Sequence, residues 1–195
     1  MGKKRKNKFK KNKNSFPKKD KTLIIVEGES DKIFLNGLIK YLNLGSKFEV
    51  RTSADKNHCD ILRKNKIKNM LKEAKEIDGF KQVYILIDFN TDCGNLKPSC
   101  VVELRNWYLN EIVDKGFKNY VKVIVALNEL ECWEILGWEN KSYYSDCISY
   151  FKINLKLSNK TKIAQQSILK LDKILENCNL NSSLKYFLSK IGYSC

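Results

Sequence analysis

No stretch of this sequence is apolar for long. A membrane-spanning helix needs about 18 consecutive apolar residues, and no such run is present. The basic N-terminus is not followed by an apolar h-region, which argues against a secretory signal. Cys59, Cys93, Cys100, Cys132, Cys147, Cys178 and Cys195 are scattered, odd in number and never spaced C-x-x-C. That pattern argues against a disulfide framework or a structural zinc site. It predicts reduced thiols, mostly core fillers, in a cytoplasmic protein. Histidine is nearly missing: His58 stands alone near a predicted helix start and reads as a cap or surface residue. No internal repeat is present.

Acidic residues are outnumbered, 22 Asp and Glu against 37 Lys and Arg, for a net charge of +15. Residues 1–21 carry eleven Lys or Arg and one Asp, a net of +10, which leaves +5 for residues 22–195. The tail, MGKKRKNKFKKNKNSFPKKDK, has no hydrophobic periodicity and repels itself, so disorder is expected. Lys3, Lys4, Arg5, Lys6, Lys8, Lys10 and Lys11 read as a nucleic-acid arm that neutralises phosphates. A solubilising tail is the plainer reading of the same charges.

Apolar content of 43% is enough for a core. The stretch organising the chain is TLIIVEGESDKIFLNGLIKYL, residues 22–42. Leu23 to Val26 form an unbroken apolar run, as in a parallel strand covered on both faces. Glu27 follows where the strand should end, and Gly28 is expected to turn the backbone sharply. Ser30 or Asp31 can then cap a helix whose apolar stripe is Ile33, Phe34, Leu38, Ile39 and Leu42.

KFEVRT, residues 47–52, reads as a second strand, followed by a basic helix over 57–77. VYILIDFNTD is a third strand ending in Asp88, with Asn90 and Asp92 at alternate positions beyond. Spacing of two in an extended segment points these oxygens the same way, and hard divalent cations favour such ligands. A helix over 99–115 leads to a fourth strand, YVKVIVAL, which runs into Glu129 and Glu131 at another helix start. The helix macrodipole accounts for acidic residues there equally well. Beyond residue 140 the pattern predicts helices over 160–177 and 182–191.

Strand–helix alternation predicts an α/β fold with a mostly parallel four-stranded, Rossmann-like sheet flanked by helices. The expected division is a flexible tail over 1–21, the α/β domain over 22–138, and a helical C-terminal appendage over 139–195. A parallel sheet would gather Glu27, Asp88, Asn90, Asp92 and Glu131 at one edge. In a chain this basic, such a cluster calls for a cation; one or two Mg²⁺ or Mn²⁺ ions would offset the repulsion, and a two-metal site would support phosphoryl chemistry.

IIVEGESDKIFLNGL resembles the first motif of Toprim domains, with the flavour of OLD-family and RloB-type Toprim proteins. ILIDFNTDC is similar to the later Asp-x-Asp motif, and ALNELECWEILGW to the helix-opening segment of that fold. NSSLKYFLSKIG weakly resembles a C-terminal segment of small Toprim proteins. The resemblance covers roughly residues 22–138. It implies a Toprim-like sandwich in which Glu27 is a catalytic acid/base or metal ligand and Asp88 a catalytic metal ligand. It further implies a Mg²⁺- or Mn²⁺-dependent endonuclease acting on DNA or RNA, with tRNA a candidate. Its expected setting is antiphage defence, as the effector of an ABC-type ATPase partner. Asn90 departs from the family pattern, which prefers Asp; either Asp92 takes over or one metal position is poorer. The alternatives are a nucleic-acid-binding module without activity and a housekeeping RNA-processing nuclease.

Overall fold

The computed structural model describes residues 20–54, 58–90, 98–141 and 147–195. The basic arm through Lys11, and Asp92, therefore lie outside the described residues. Three apolar runs and the alternating FEVRT form four strands: β1 (Thr22–Val26), β2 (Phe48–Thr52), β3 (Gln82–Asp88) and β4 (Val121–Ala126). All pairings are parallel and the strand order is β2-β1-β3-β4. The register sets Val26 beside Thr52 and Asp88 beside Ala126, so the carboxyl ends line one edge.

Both sheet faces are covered, which is why the runs in the central strands β1 and β3 are continuous rather than alternating. Ile24, Val26, Tyr84, Leu86, Ile124 and Ala126 face one helical layer. That layer contains α1 (Glu29–Tyr41), α6 (Lys160–Ile168), α7 (Leu171–Glu176) and α8 (Ser182–Ile191). Leu23, Ile25, Val83, Ile85, Ile87, Val123 and Val125 face the other, built from α2 (Lys64–Lys72) and α3 (Val101–Trp107). Each fully buried Leu, Ile or Val contributes about 1.5–3 kcal/mol. Two short helices, α4 (Glu131–Glu134) and α5 (Cys147–Asn154), complete a smaller cluster with Phe151 and Ile163.

The chain leaves β1 through α1 to reach β2, then returns on the opposite face through α2 to β3. The order thus reverses between β1 and β3, where open α/β sheets form a ligand crevice. No helix among the described residues is long and apolar enough to cross a membrane.

Several sequence expectations change in detail. The predicted helix over 57–77 is a 3₁₀ turn (His58–Leu62), then α2, then a π turn (Glu73–Ile77). The helix over 160–177 breaks between Ile168 and Leu171. Gly137 explains that break: a Cβ there would lie 2.7 Å from Lys170 Cβ, so the turn sits flush on the chain after α4. The expectation of reduced thiols is overturned. Cys132 bonds Cys147 and Cys178 bonds Cys195, with Cα separations of 5.3 and 5.8 Å. Cys59 is also disulfide-bonded, leaving Cys100 as the free thiol among the described residues. Folding brings α4 against α5 and the C-terminus against the 3₁₀ turn that follows α7, a proximity that spacings of 15 and 17 residues do not announce.

Candidate active site at the strand ends

The site grows from the ends of β1 and β3. Glu27, one residue beyond β1, is 8% exposed. Its Oε1 accepts the Asp88 backbone N–H at 3.0 Å, tying the two strand ends together. Thr52 Oγ1 donates to the Glu27 carbonyl at 3.1 Å from the neighbouring strand. Gly28 does not make the expected sharp turn: its φ of −127° and ψ of 175° are extended backbone. It is the N-cap of α1, and Asp31 in the first turn reaches back to accept its N–H at 2.9 Å. That bond fixes Asp31, also 8% exposed, within electrostatic reach of Glu27.

Asp88 closes β3. Its Oδ1 accepts the Leu130 N–H at 3.0 Å, so the carboxylate turns inward although the residue is partly exposed. Glu131, the first residue of α4, is 1% exposed, and its Oε2 has no hydrogen-bond partner. Its Oε1 forms an ion pair with Lys160 Nζ at 2.9 Å. Lys160 also stands 3.5 Å from Glu129 Oε2. It is the first residue of α6, where the macrodipole disfavours a cation; the carboxylates opposite supply the attraction that outweighs this.

These groups perturb one another. Burial, with smaller contributions from Asp31 and Glu131, raises the Glu27 carboxyl to about 7 against the opposing Asp88 N–H and Lys160. Burial and Glu131 raise Asp31 to about 6. Asp88 is pushed well above the carboxylate range by burial first, then by Glu27, Asp31 and Glu131. Burial lowers the Lys160 ammonium's proton affinity, but the combined pull of Glu131, Asp88 and Glu129 gives a net rise. Deeper in, Glu134 is 1% exposed and raised well above its ordinary value by burial, then Glu131. Its Oε2 lies 2.5 Å from Ser167 Oγ, which donates to the Ile163 carbonyl at 2.8 Å.

Of the residues picked from sequence, Glu27, Asp88 and Glu131 converge. Asn90 is exposed and turned elsewhere: its Nδ2 donates to Asn128 Oδ1, and its N–H to the Asn128 carbonyl at 3.0 Å. Asn128 takes a left-handed φ of 68°, which Asn tolerates, so the loops after β3 and β4 are latched together. Asp31 and Lys160 belong to the site and were missed. Asp31 reads as a helix cap from sequence, and Lys160 carries no local signal.

All four carboxylates offer hard oxygen donors suited to Mg²⁺ or Mn²⁺, and the unpartnered Glu131 Oε2 is a buried anionic donor without a hydrogen bond. Yet among the described residues no group of three or more His, Cys, Asp or Glu side chains stands ready to hold a metal ion. Glu27 and Asp88 spend oxygens on backbone N–H groups, and Lys160 supplies the positive charge. The donor chemistry fits a divalent cation; the present side-chain arrangement serves Lys160. No family model, no curated protein and no solved structure matches this chain.

Proposed function

We propose that the protein is a divalent-metal-dependent nuclease of Toprim type, cleaving phosphodiester bonds at the β1/β3 crevice. The observation carrying this reading is the convergence of Glu27, Asp31, Asp88 and Glu131 there, in a chain of net charge +15. Buried like charges are costly, and their retention at a ligand crevice marks a functional site. Glu27, Asp88 and Glu131 are the residues that would hold Mg²⁺ or Mn²⁺. When bound, such an ion lowers the pKa of water and offsets charge on a leaving oxygen. Glu27, poised near neutrality, is suited to accept and return a proton. Asp31 holds the turn that presents Glu27, and Lys160 is placed to meet a substrate phosphate once released from Glu131. The basic arm over residues 1–21 would track the nucleic-acid backbone.

The sequence resemblance extends this proposal to an effector of antiphage defence with an ABC-type ATPase partner and RNA, tRNA included, as a candidate substrate. A second reading, a nucleic-acid-binding module with weak or no chemistry, is favoured by Lys160 seated on Glu131 and by Asn90 engaged with Asn128.

The test is cleavage of mixed tRNA and of plasmid DNA with Mg²⁺, Mn²⁺ or EDTA, comparing wild type with Glu27→Gln and Asp88→Asn. Metal-dependent cutting, lost by at least a hundredfold in both variants while they remain folded, is expected. Equal cutting by Glu27→Gln refutes the assignment. Salt-sensitive binding without cutting supports the second reading.

A further inference from the structure

Away from the carboxylate cluster, a cleft of about 270 Å³ is lined by residues of α3, β4 and α8. Val101, Val123, Val125 and Leu127 make its apolar lining. Each helix adds a polar side chain from the same face: Arg105 stands four residues after Val101 on α3, and Tyr186 four after Ser182 on α8. No carboxylate lines the cleft among the described residues.

The polar groups differ in what they have left to offer. Ser183 Oγ is fully engaged: it accepts from the Leu127 N–H and Trp133 Nε1 and donates to Asn181 Oδ1 at 2.8 Å. Arg105 is partly buried, yet among the described residues its guanidinium makes no ion pair or hydrogen bond. Arg51, similarly withdrawn from water, pairs with Glu49 at 2.7 Å and Asp78 at 2.6 Å. The last turn of α3 suits a cation through the macrodipole, which accounts for the charge but not for its place among valines. The Ser182 and Tyr186 hydroxyls are unengaged as well, and Tyr186 is 42% exposed. The groups left for a ligand are thus five guanidinium N–H donors and two hydroxyls.

That set selects an anion, and the valines select an apolar body. A carboxylate matches one guanidinium charge for charge and in fork geometry, whereas a phosphate monoester would bring nearly two charges to it. A cavity of about 150 Å³ admits benzene, so 270 Å³ holds one ring with a short acidic arm. We infer that this cleft binds a small carboxylic acid with an apolar body of about one ring, its carboxylate on Arg105 and its body against Val123, Val125 and Leu127. The inference stands apart from the nuclease proposal and uses none of that site's residues.

The probes are phenylacetate, its uncharged amide phenylacetamide, and acetate, the acid without an apolar body. Each is titrated into the isotope-labelled full chain in EDTA, with backbone amide and arginine Nε–H resonances as readout. Phenylacetate should move Arg105 Nε–H and the Val125, Leu127 and Ser182 amides along one saturable curve, leaving the Glu27 amide still. Phenylacetamide and acetate should each bind at least tenfold more weakly. Arg105→Gln should weaken phenylacetate at least tenfold and leave acid and amide equal. Ser182→Trp, at an exposed position at the start of α8, should abolish binding by filling the cleft. Absence of a saturable shift with phenylacetate, equal binding of the amide to wild type, or indifference to Arg105→Gln overturns the inference. Tighter binding of a nucleoside monophosphate at the same amides would reassign the cleft to nucleic acid and overturn it too.

Discussion

Replacing Glu27 with Gln should stabilise the metal-free protein, by an amount that grows as pH rises above 4.5 and is complete above about 7. Folding raises the Glu27 carboxyl from 4.5 to about 7, mainly through burial. At about 1.4 kcal/mol for each tenfold change in proton affinity, that is about 3 kcal/mol. The sign follows from proton counting. Between the two values the folded state binds more protons than the unfolded state, so stability falls as pH rises. The favourable contribution is complete below the unfolded value and gone once pH passes through about 7. Asp31, raised from 3.8 to about 6, acts in the same direction over a lower window. Gln keeps the Oε1 acceptor for the Asp88 N–H and carries no charge to bury. At pH 8 in EDTA, Glu27→Gln should therefore gain up to about 3 kcal/mol over wild type. For a chain of this size that is roughly 6–12 °C in Tm. At pH 5, only just above the unfolded value of 4.5, the difference should shrink to about 1 kcal/mol. Thermal melts by circular dichroism at the two pH values provide the readout. The variant-minus-wild-type difference isolates Glu27 from all other titrating groups. A variant no more stable than wild type at pH 8, or a gain equal at both pH values, refutes the reasoning. Under the nuclease proposal, millimolar Mg²⁺ should raise the wild-type Tm at pH 8 and leave Glu27→Gln nearly unmoved.

Ser183→Ala should lower stability by about 2–4 kcal/mol in urea titrations, because Ser183 Oγ accepts from both Leu127 N–H and Trp133 Nε1 at 3.0 and 2.8 Å; an unchanged midpoint would contradict the hub. Gly37→Ala should destabilise by roughly 1–3 kcal/mol, since its Cβ would stand 2.5 Å from Ile168 Cγ1 where α1 meets α6. Adding Ile168→Ala should recover part of that loss in a double-mutant cycle, and strict additivity would mean the two helices do not meet there. Gly28→Ala should be nearly silent by the same melts, because its extended backbone suits any residue and its Cβ would meet nothing nearer than 3.8 Å. Cys132→Ala with Cys147→Ala should cost about 3 kcal/mol, the chain-entropy value for a loop of this length, given the 15-residue separation; dithiothreitol should lower the wild-type Tm and leave that double variant's change smaller.

The strands were legible because burial on both faces leaves an unbroken apolar run. Leu23 to Val26 and Val83 to Ile87 could be nothing else of that length between helical patterns. The helices' boundaries were less legible. The stop between Ile168 and Leu171 comes from a backbone approach at Gly137, more than thirty positions away in sequence. The disulfides were misread for the same reason: pairing is decided by which helices meet, and the contact of α4 with α5 is a tertiary one.

At the site, sequence alone determined that Glu27 and Asp88 would share a sheet edge, because a carboxylate directly after a buried parallel strand has nowhere else to go. It also fixed the excess positive charge and its concentration in residues 1–21. Only the tertiary structure decided that Asp31 joins the carboxylates rather than merely capping α1. Only it brought Lys160 from the C-terminal helices onto Glu131, and turned Asn90 towards Asn128. The physical difference is range. Strand propensity and burial pattern act over neighbouring residues and are written locally, whereas an ion pair between α4 and α6 exists only when two helices distant in sequence are packed against the same sheet.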